Sequence, residues 1–567
     1  MKKLLAMLLA LVAVLGLFAG CQKTGGTDDP EETKSEGSKG VITIGIPEHM
    51  SVEDYDTNSY TLWLEEQSGY DLVFKTFAAS ATDYKTQLSV MIINEKEDLP
   101  DMLWGFRGLG DSVWRSYGED GYFISLTEYF EDREGKSKIF WDRIEEENID
   151  QEYIDTIMRR CTADDGEIYA FPRIETAEID TMDYMVSINQ DWLDALNLEM
   201  PTDKDSLYKA LKAFKEKDPN GNGLKDEMPL IGAGAGNQGG DVVNWLINMF
   251  IYFDDSKWFN LSADGKNLTV PFTSDAYREA LVFCRKLVDE GLLYTDLNSS
   301  EIKALINTDP DSNGKYTTTV GMFVFHPTLS YQVEHDSVFH FAPVPIWGNA
   351  VERENLNSRE AFITEDAKDP DACWELLMLM CTKEGSYRQR YGEKGTDWVD
   401  ADEGTTSFLG WKADIKILDD SVFTTVNNKM WHAIGACILT NAENETAQLD
   451  KNTSEWVQYK LNLNATQYNS FCEAQEKNNP KYLMPAIVLG DAESELTQNE
   501  RSNTQKVVSS YRLNFIKGND GLNPSNDAHW QQYLNELEKE GLSVWLEQYQ
   551  RLYRDNGYMD KVLNGEY

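Results

Sequence analysis

The sequence predicts an α/β protein built on parallel sheets with crossover helices and divided into more than one compact unit. Two observations carry this. Short apolar strands alternate with helical stretches through the first part of the chain that can fold. In addition, a chain of 567 residues exceeds what a single hydrophobic core supports.

Ahead of the first strand stands a leader. Met1-Lys2-Lys3 is followed by an apolar run over residues 4–18 and then by Ala19-Gly20-Cys21. Those are the three parts of a secretory signal peptide, and the run is shorter than the about 20 residues that a membrane-spanning helix needs. Residues 1–20 are therefore expected to be removed. Leu17-Phe18-Ala19-Gly20-Cys21 resembles the bacterial lipobox, in which the cysteine thiol, a soft nucleophile, is joined to a diacylglyceryl group and becomes the first mature residue. Several acyl chains, at about 0.8 kcal/mol per buried methylene, hold such a protein at the membrane. The expected location is extracytoplasmic, with the lipid on Cys21 as the only membrane contact. Residues 21–40, rich in Gly, Thr, Ser and charge, read as a disordered tether, and the fold is expected to begin near Val41.

Residues 41–46 (VITIGI), stopped by Pro47, and 72–77 (LVFKTF) read as strands, with helices over 60–67 and 84–93 after them. A third strand, 102–104, follows Leu99-Pro100-Asp101. Residues 205–217 form a helix. Over 275–290, Ala280, Leu281, Cys284, Leu287 and Val288 share one helical face that Gly291 closes. Asp369-Pro370 starts another helix as cap and first turn, with Trp374, Leu377, Met378 and Cys381 on its apolar side. The last forty residues read as two core helices, one carrying Trp530, Tyr533, Leu534 and Leu537 and the other Trp545, Tyr549, Leu552 and Tyr553.

A net charge of −45 argues against nucleic acid, because phosphate binding needs a basic surface. Cys161, Cys284, Cys373, Cys381, Cys437 and Cys472 contain no CxxC pair, so neither a zinc site nor a disulfide framework is indicated. There is no GxSxG, HExxH or Walker loop, and the six histidines have no metal-ligand spacing.

The sharpest local motif is Asp218-Pro219-Asn220-Gly221-Asn222-Gly223-Leu224-Lys225-Asp226-Glu227. Oxygen side chains at alternate positions, with glycine after the third, let a tight loop aim hard ligands at one centre, as in the opening of an EF-hand. By that analogy Asp218, Asn220 and Asn222 give side-chain oxygens, Leu224 gives its carbonyl, and Asp226 and Glu227 complete a structural Ca²⁺ shell. An EF-hand would need glutamate at the twelfth position, where Pro229 stands.

Five further segments occur in a recognisable order: Leu99-Pro100-Asp101; Gly166-Glu167-Ile168-Tyr169-Ala170-Phe171-Pro172; Asn189-Gln190-Asp191-Trp192-Leu193; Tyr391-Gly392-Glu393-Lys394-Gly395-Thr396-Asp397-Trp398; and the closing aromatic helices. In these the chain resembles the large extracellular solute-binding lipoproteins of carbohydrate ABC importers, the family 1 solute-binding proteins, including alginate-oligosaccharide-binding and LplA-type lipoproteins. The resemblance implies a two-lobed, type II periplasmic-binding-protein-like α/β fold, each lobe a mixed sheet flanked by helices, with extra C-terminal helices. Carried over, lobe 1 comprises residues 41–172 plus about 324–360 and lobe 2 residues 173–323 plus about 361–567. The hinge crossings fall near 171–186, 323–327 and 355–363. Alginate-binding relatives carry a calcium loop of the DxNxNGxxDE form, in which the Asp-Glu pair replaces the EF-hand glutamate.

The implied function is capture of an oligosaccharide between the lobes and delivery, as a monomer, to the permease of an ABC importer, without catalysis. A sugar site needs aromatic platforms and planar hydrogen-bonding groups. Trp104 and Arg107 follow a strand whose carboxyl end should face the crevice; Trp245 follows the glycine-rich stretch 232–240; His326 sits at an expected crossing; and Trp398 ends its motif. Each of these is equally compatible with core or surface. A peptide or signal-molecule receptor on the same fold, and an extracellular glycoside-acting enzyme, remain the alternatives.

Overall fold

The computed structural model describes residue 35 and residues 37–565, apart from 50–51, 95–98, 164, 235–240, 309, 311, 313, 315, 326–334, 353–358, 420–425, 432–433, 441–444, 450–454, 486 and 488–490. The leader, Cys21 and most of the expected tether lie outside these residues. Already at the tether's end, Ser35 donates its N–H to the Asp71 carboxylate (2.7 Å) and Lys39 its N–H to the Gly69 carbonyl (2.8 Å).

In chain order the strands are β1 (Val41–Pro47), β2 (Asp71–Phe77), β3 (Met102–Trp104), β4 (Ile174–Glu175), β5 (Met185–Asn189), β6 (Leu230–Ala233), β7 (Asn260–Leu261), β8 (Leu268–Thr269), β9 (Leu293–Leu297), β10 (Met322–Phe325), β11 (Phe341–Pro343), β12 (Ala361–Ile363), β13 (Trp398–Asp400), β14 (Ile415–Ile417), β15 (Ile438–Leu439) and β16 (Ala447–Leu449). The first sheet has the order β12-β3-β1-β2 and the second β11-β5-β10-β6-β9. In the first, β1 runs parallel to β2 and β3, with β12 antiparallel at the edge; in the second, β5 runs antiparallel to β10 and β11. Both are mixed, and helices flank them.

The apolar alternation of the early segments produces what it predicts. Ile42, Ile44 and Ile46 of β1 are buried, and the helix Ser59–Ser68 that comes next is capped by Asn58, whose side chain accepts the Tyr60 N–H, and stopped by Gly69 in the left-handed region. Asp101, buried just before β3, accepts hydrogen bonds from the N–H and hydroxyl of Thr43 (2.7 and 2.6 Å) and from the N–H of Lys368 (2.8 Å). It therefore stitches β1 to the segment after β12. The helix Pro370–Cys381 begins on Asp369, whose carboxylate accepts the Ala372 N–H, and buries Cys373, Trp374, Leu377 and Cys381 together with β1 and β3. The helices Asp527–Lys539 and Leu542–Asp555 bury Trp530, Tyr533, Trp545 and Tyr553 in the same core as Val186 of β5 and Val324 of β10. No disulfide joins the described cysteines.

Strand partnership corrects the expected division into lobes. β11, inside the stretch 324–360 assigned to lobe 1, pairs with β5 in the second sheet. β12, at the start of the stretch 361–567 assigned to lobe 2, pairs with β3 in the first, and the helix Pro370–Cys381 packs there too. β10, which holds residues 323–325 of the crossing expected at 323–327, is an interior strand of the second sheet; residues 326 and 327 lie outside the described residues. The physical reason is that a three-residue apolar strand fits the edge of either sheet equally well; hydrogen-bond partners decide. Crossings run from β4 to β5, from β11 to β12, and from β16 to the helix Glu455–Asn478. That helix sits on β5 and β11, where the Gln467 side chain accepts from Val186 N–H (3.2 Å) and donates to the Val344 carbonyl (2.6 Å). The first two crossings lie side by side, Asp183 N–H donating to the Val351 carbonyl at 3.3 Å.

Candidate functional site

The carboxyl ends of β1 and β3 form one edge of the first sheet, where loops of a parallel sheet meet ligands. After β3 the chain turns at Gly105, in the left-handed region at φ 74°, and presents Arg107. The Arg107 Nε donates to Glu360 Oε2 at 2.6 Å; the arginine side chain is 42% exposed and the glutamate 1%. Glu360 Oε1 accepts the Gly435 N–H at 2.7 Å. His49, beyond the end of β1, is held below its usual pKa by burial and by the Arg107 charge, so its imidazole is neutral at pH 7. Tyr55, buried beside them, has its phenol pushed upward by burial and by Glu360, and donates to the Pro47 carbonyl at 3.2 Å. Arg359 adds a second guanidinium, over the Trp114 ring at 5.8 Å.

Beside the end of β6 in the second sheet lies a buried ion pair, Asp241 being 9% and Arg512 7% exposed. Asp241 caps the helix Val242–Ile247, accepting from the N–H groups of Val243 and Asn244 (3.0 and 3.1 Å), and its other oxygen accepts from Arg512 Nη2 at 3.0 Å. Nearby, the Tyr184 hydroxyl is buried with no hydrogen-bond partner among the described residues.

Of the residues singled out by sequence, Arg107 stands at this edge. Trp104 does not: it is fully buried, 5.3 Å from the Trp431 ring, because the last residue of β3 points into the core. Trp245 is 5% exposed and packs edge-on to Trp347 at 6.1 Å. Trp398 is 6% exposed in the small sheet β13-β14-β16, its indole N–H donating to the Gly392 carbonyl at 3.0 Å. All three are packing residues, a correction with one cause: a tryptophan is the cheapest way to fill a large hole in a core. His326 lies outside the described residues. Glu360, His49 and Tyr55 were missed. A glutamate before an apolar triplet carries no sign in the sequence that it will be buried.

The loop 218–227 is drawn inward by its own backbone. Asp218, at φ 47°, accepts the N–H groups of Asn222 (3.1 Å) and Gly223 (3.0 Å); Asn222 donates its side-chain amide to Asp226 (3.1 Å) and accepts the Leu224 N–H (2.7 Å); and the Asn220 amide donates to the Thr318 carbonyl at 3.4 Å. Glu227 is buried, its Oε1 lacking a hydrogen-bond partner among the described residues, and burial, then the charges of Asp226 and Asp218, push its carboxyl upward. A buried carboxylate strained by two neighbours is what a hard cation relieves, so the donor set fits Ca²⁺ in kind. Among the described residues, no three His, Cys, Asp or Glu side chains form a preassembled metal cluster.

No family model matches the chain. The fructooligosaccharide ABC transporter substrate-binding protein FusA of Streptococcus pneumoniae is 41% identical over 140 residues, which are 23% of this chain and 25% of that protein. Lipoprotein LipO of Bacillus subtilis is 33% identical over 300 residues, 52% of this chain and 51% of that one. The matches thus span from a quarter to about half of these relatives' lengths. Among solved structures, pneumococcal FusA in complex with kestose superposes with a TM-score of 0.67 at 19% identity, covering 93% of this chain and 100% of that one. An HMO-binding, ABC-transporter-associated solute-binding protein of Bifidobacterium longum infantis gives 0.65 at 17%, over 91% and 99%. An EF-hand mutant of FusA in complex with fructo-nystose gives 0.66 at 20%, over 93% and 100%. Over a quarter to a half of its relatives' lengths the chain is similar in sequence to an ABC-transporter substrate-binding protein and to a lipoprotein, and along nearly its whole length it has the fold of solute-binding proteins.

Proposed function

We propose that this protein captures an oligosaccharide between its two lobes outside the cell and hands it, as a monomer, to the permease of an ABC importer, held at the membrane by a lipid on Cys21. The observation that carries the reading is the polar edge of the first sheet, where the partly exposed Arg107 stands beside neutral His49, in a fold shared with kestose-bound FusA. A guanidinium offers paired donors to vicinal hydroxyls or to a uronate, and a neutral imidazole both donates and accepts. Ligand touching both lobes shifts the open and closed populations; ligand touching one shifts nothing. Kestose and fructo-nystose, the ligands in the FusA complexes, support sugar as the class. Within this reading the loop 218–227 holds a structural Ca²⁺ through Asp218, Asn220, Asn222, the Leu224 carbonyl, Asp226 and Glu227, the ion supplying positive charge where Glu227 lacks it.

A thermal-shift screen of the mature chain against neutral and acidic oligosaccharides, with calcium and then with chelator, tests both parts. Ligand at 100 times its dissociation constant stabilises by about 2.7 kcal/mol. A shift with one sugar class and no altered product is expected. Silence across the panel, or turnover of any member, overturns the sugar-binding reading, and an unchanged melting point in chelator overturns the calcium site.

A further inference from the structure

Glu360 is a buried carboxylate with an unusual set of attachments. Its Oε2 holds Arg107 Nε (2.6 Å) and its Oε1 the N–H of Gly435 (2.7 Å). Through its backbone it donates to the Phe171 carbonyl and accepts from the Gly105 N–H, both at 2.9 Å. Each partner sits at a joint. Glu360 ends the second crossing. Phe171 lies three residues before β4, where the first crossing begins. Gly435 lies three residues before β15, the strand that pairs in parallel with β4. Gly105 is the turn that aims Arg107.

The fit around these contacts is close. Gly435 takes φ 108°, and a Cβ there would stand 2.6 Å from Met380 Cε. A Cβ at Gly105 would stand 3.2 Å from Ile434 Cγ2, so the two glycine turns lie against each other. Arg173, fully buried two residues beyond Phe171, donates to Glu175 Oε2 at 2.7 Å; burial works against its charge, and the carboxylates of Glu175 and Glu360 hold it charged.

We propose that Glu360 is a positioning residue that ties the ligand-facing Arg107 to the hinge, so that a pull on the guanidinium is transmitted to the segments that bend when the lobes close. The physical basis is that a buried carboxylate needs its donors: losing Arg107 removes the hydrogen bond and ion pair at Oε2, so the Glu360 side chain must shift toward Arg173 or water, and that shift disturbs the Gly435 N–H bond at Oε1 and the joint at Phe171, neither of which Arg107 holds itself. That this coupling serves sugar capture rests on the function proposed above; the tie itself does not.

Hydrogen exchange on the mature chain without ligand isolates the tie. In Arg107→Ala, amides over 171–176 and 434–439 should exchange at least about tenfold faster than in the parent. Adding Glu360→Gln to Arg107→Ala should bring them back to the level of Glu360→Gln alone, because a neutral amide no longer needs a cation. A merely structural role for Arg107 predicts that the second change adds to the first, and exchange enhanced only in the loop 105–110 would also overturn the proposal. Failure of the sugar screen leaves this result untouched, so the two readings fail separately.

Discussion

Asp255 shows how much a single residue's surroundings decide. Burial pushes its carboxyl up to about 6; the Arg512 charge opposes the rise, and Asp241 and Asp254 add to it. With the folded value above the usual carboxylate one, the protonated form favours folding. That contribution is complete at about pH 4 and is lost as pH rises through 6. Asp255→Asn should therefore raise stability by about 1 to 2 kcal/mol at pH 7.5, with the gap closing toward pH 4.5, as read by denaturant unfolding at both values. The same scale sets the limit on what the sequence reveals. The exposure of Arg107 was legible because a charged residue in a glycine turn after a strand has few reasons to be buried. Trp104, three positions earlier, was not: the period-two alternation that would show which face it takes is too short over Met102-Leu103-Trp104 to be read.

At the scale of elements, segments with strong periodicity and explicit stops were legible. The helix Asp275–Asp289 and the two closing helices form where their apolar stripes require, with the expected residues buried except Val288 and Leu534, which are half-buried against the same core. What could not be read is partnership. Ala361-Phe362-Ile363 is apolar and brief, and its place beside β3 is fixed by Glu360, Phe171 and Gly105 hydrogen bonds that no local pattern encodes. The turn at Gly435 is the element on which that arrangement leans, since its positive φ and the Met380 methyl both exclude a side chain. Gly435→Ala should cost about 1 to 3 kcal/mol and should weaken sugar binding more than an equally destabilising change in the helix Asp527–Lys539. Calorimetry of both variants, in unfolding and in titration, checks the comparison; equal losses of affinity would remove the turn from the hinge.

For the molecule as a whole, the C-terminal helices are structural members of the second lobe. Phe515, Trp530, Tyr533 and Trp545 share one core with β5 and β10. A chain ending at residue 490 should therefore lose the cooperative unfolding of lobe 2 and expose apolar surface, seen as dye binding and early proteolysis, while lobe 1 retains protection in hydrogen exchange. Survival of lobe 2 without those helices would make them an accessory layer.

The edge strand β12 also matters in time, not only in space. It completes the first sheet more than two hundred residues after β3, and the second core closes only with the last helices of the chain. As the polypeptide leaves the ribosome, neither lobe can finish until most of the sequence is available, so early stretches emerge with open edges and unfilled cores. Under the export proposed above this ordering would be an advantage: late completion of both halves would keep the polypeptide loose enough to be threaded across a membrane before it folds.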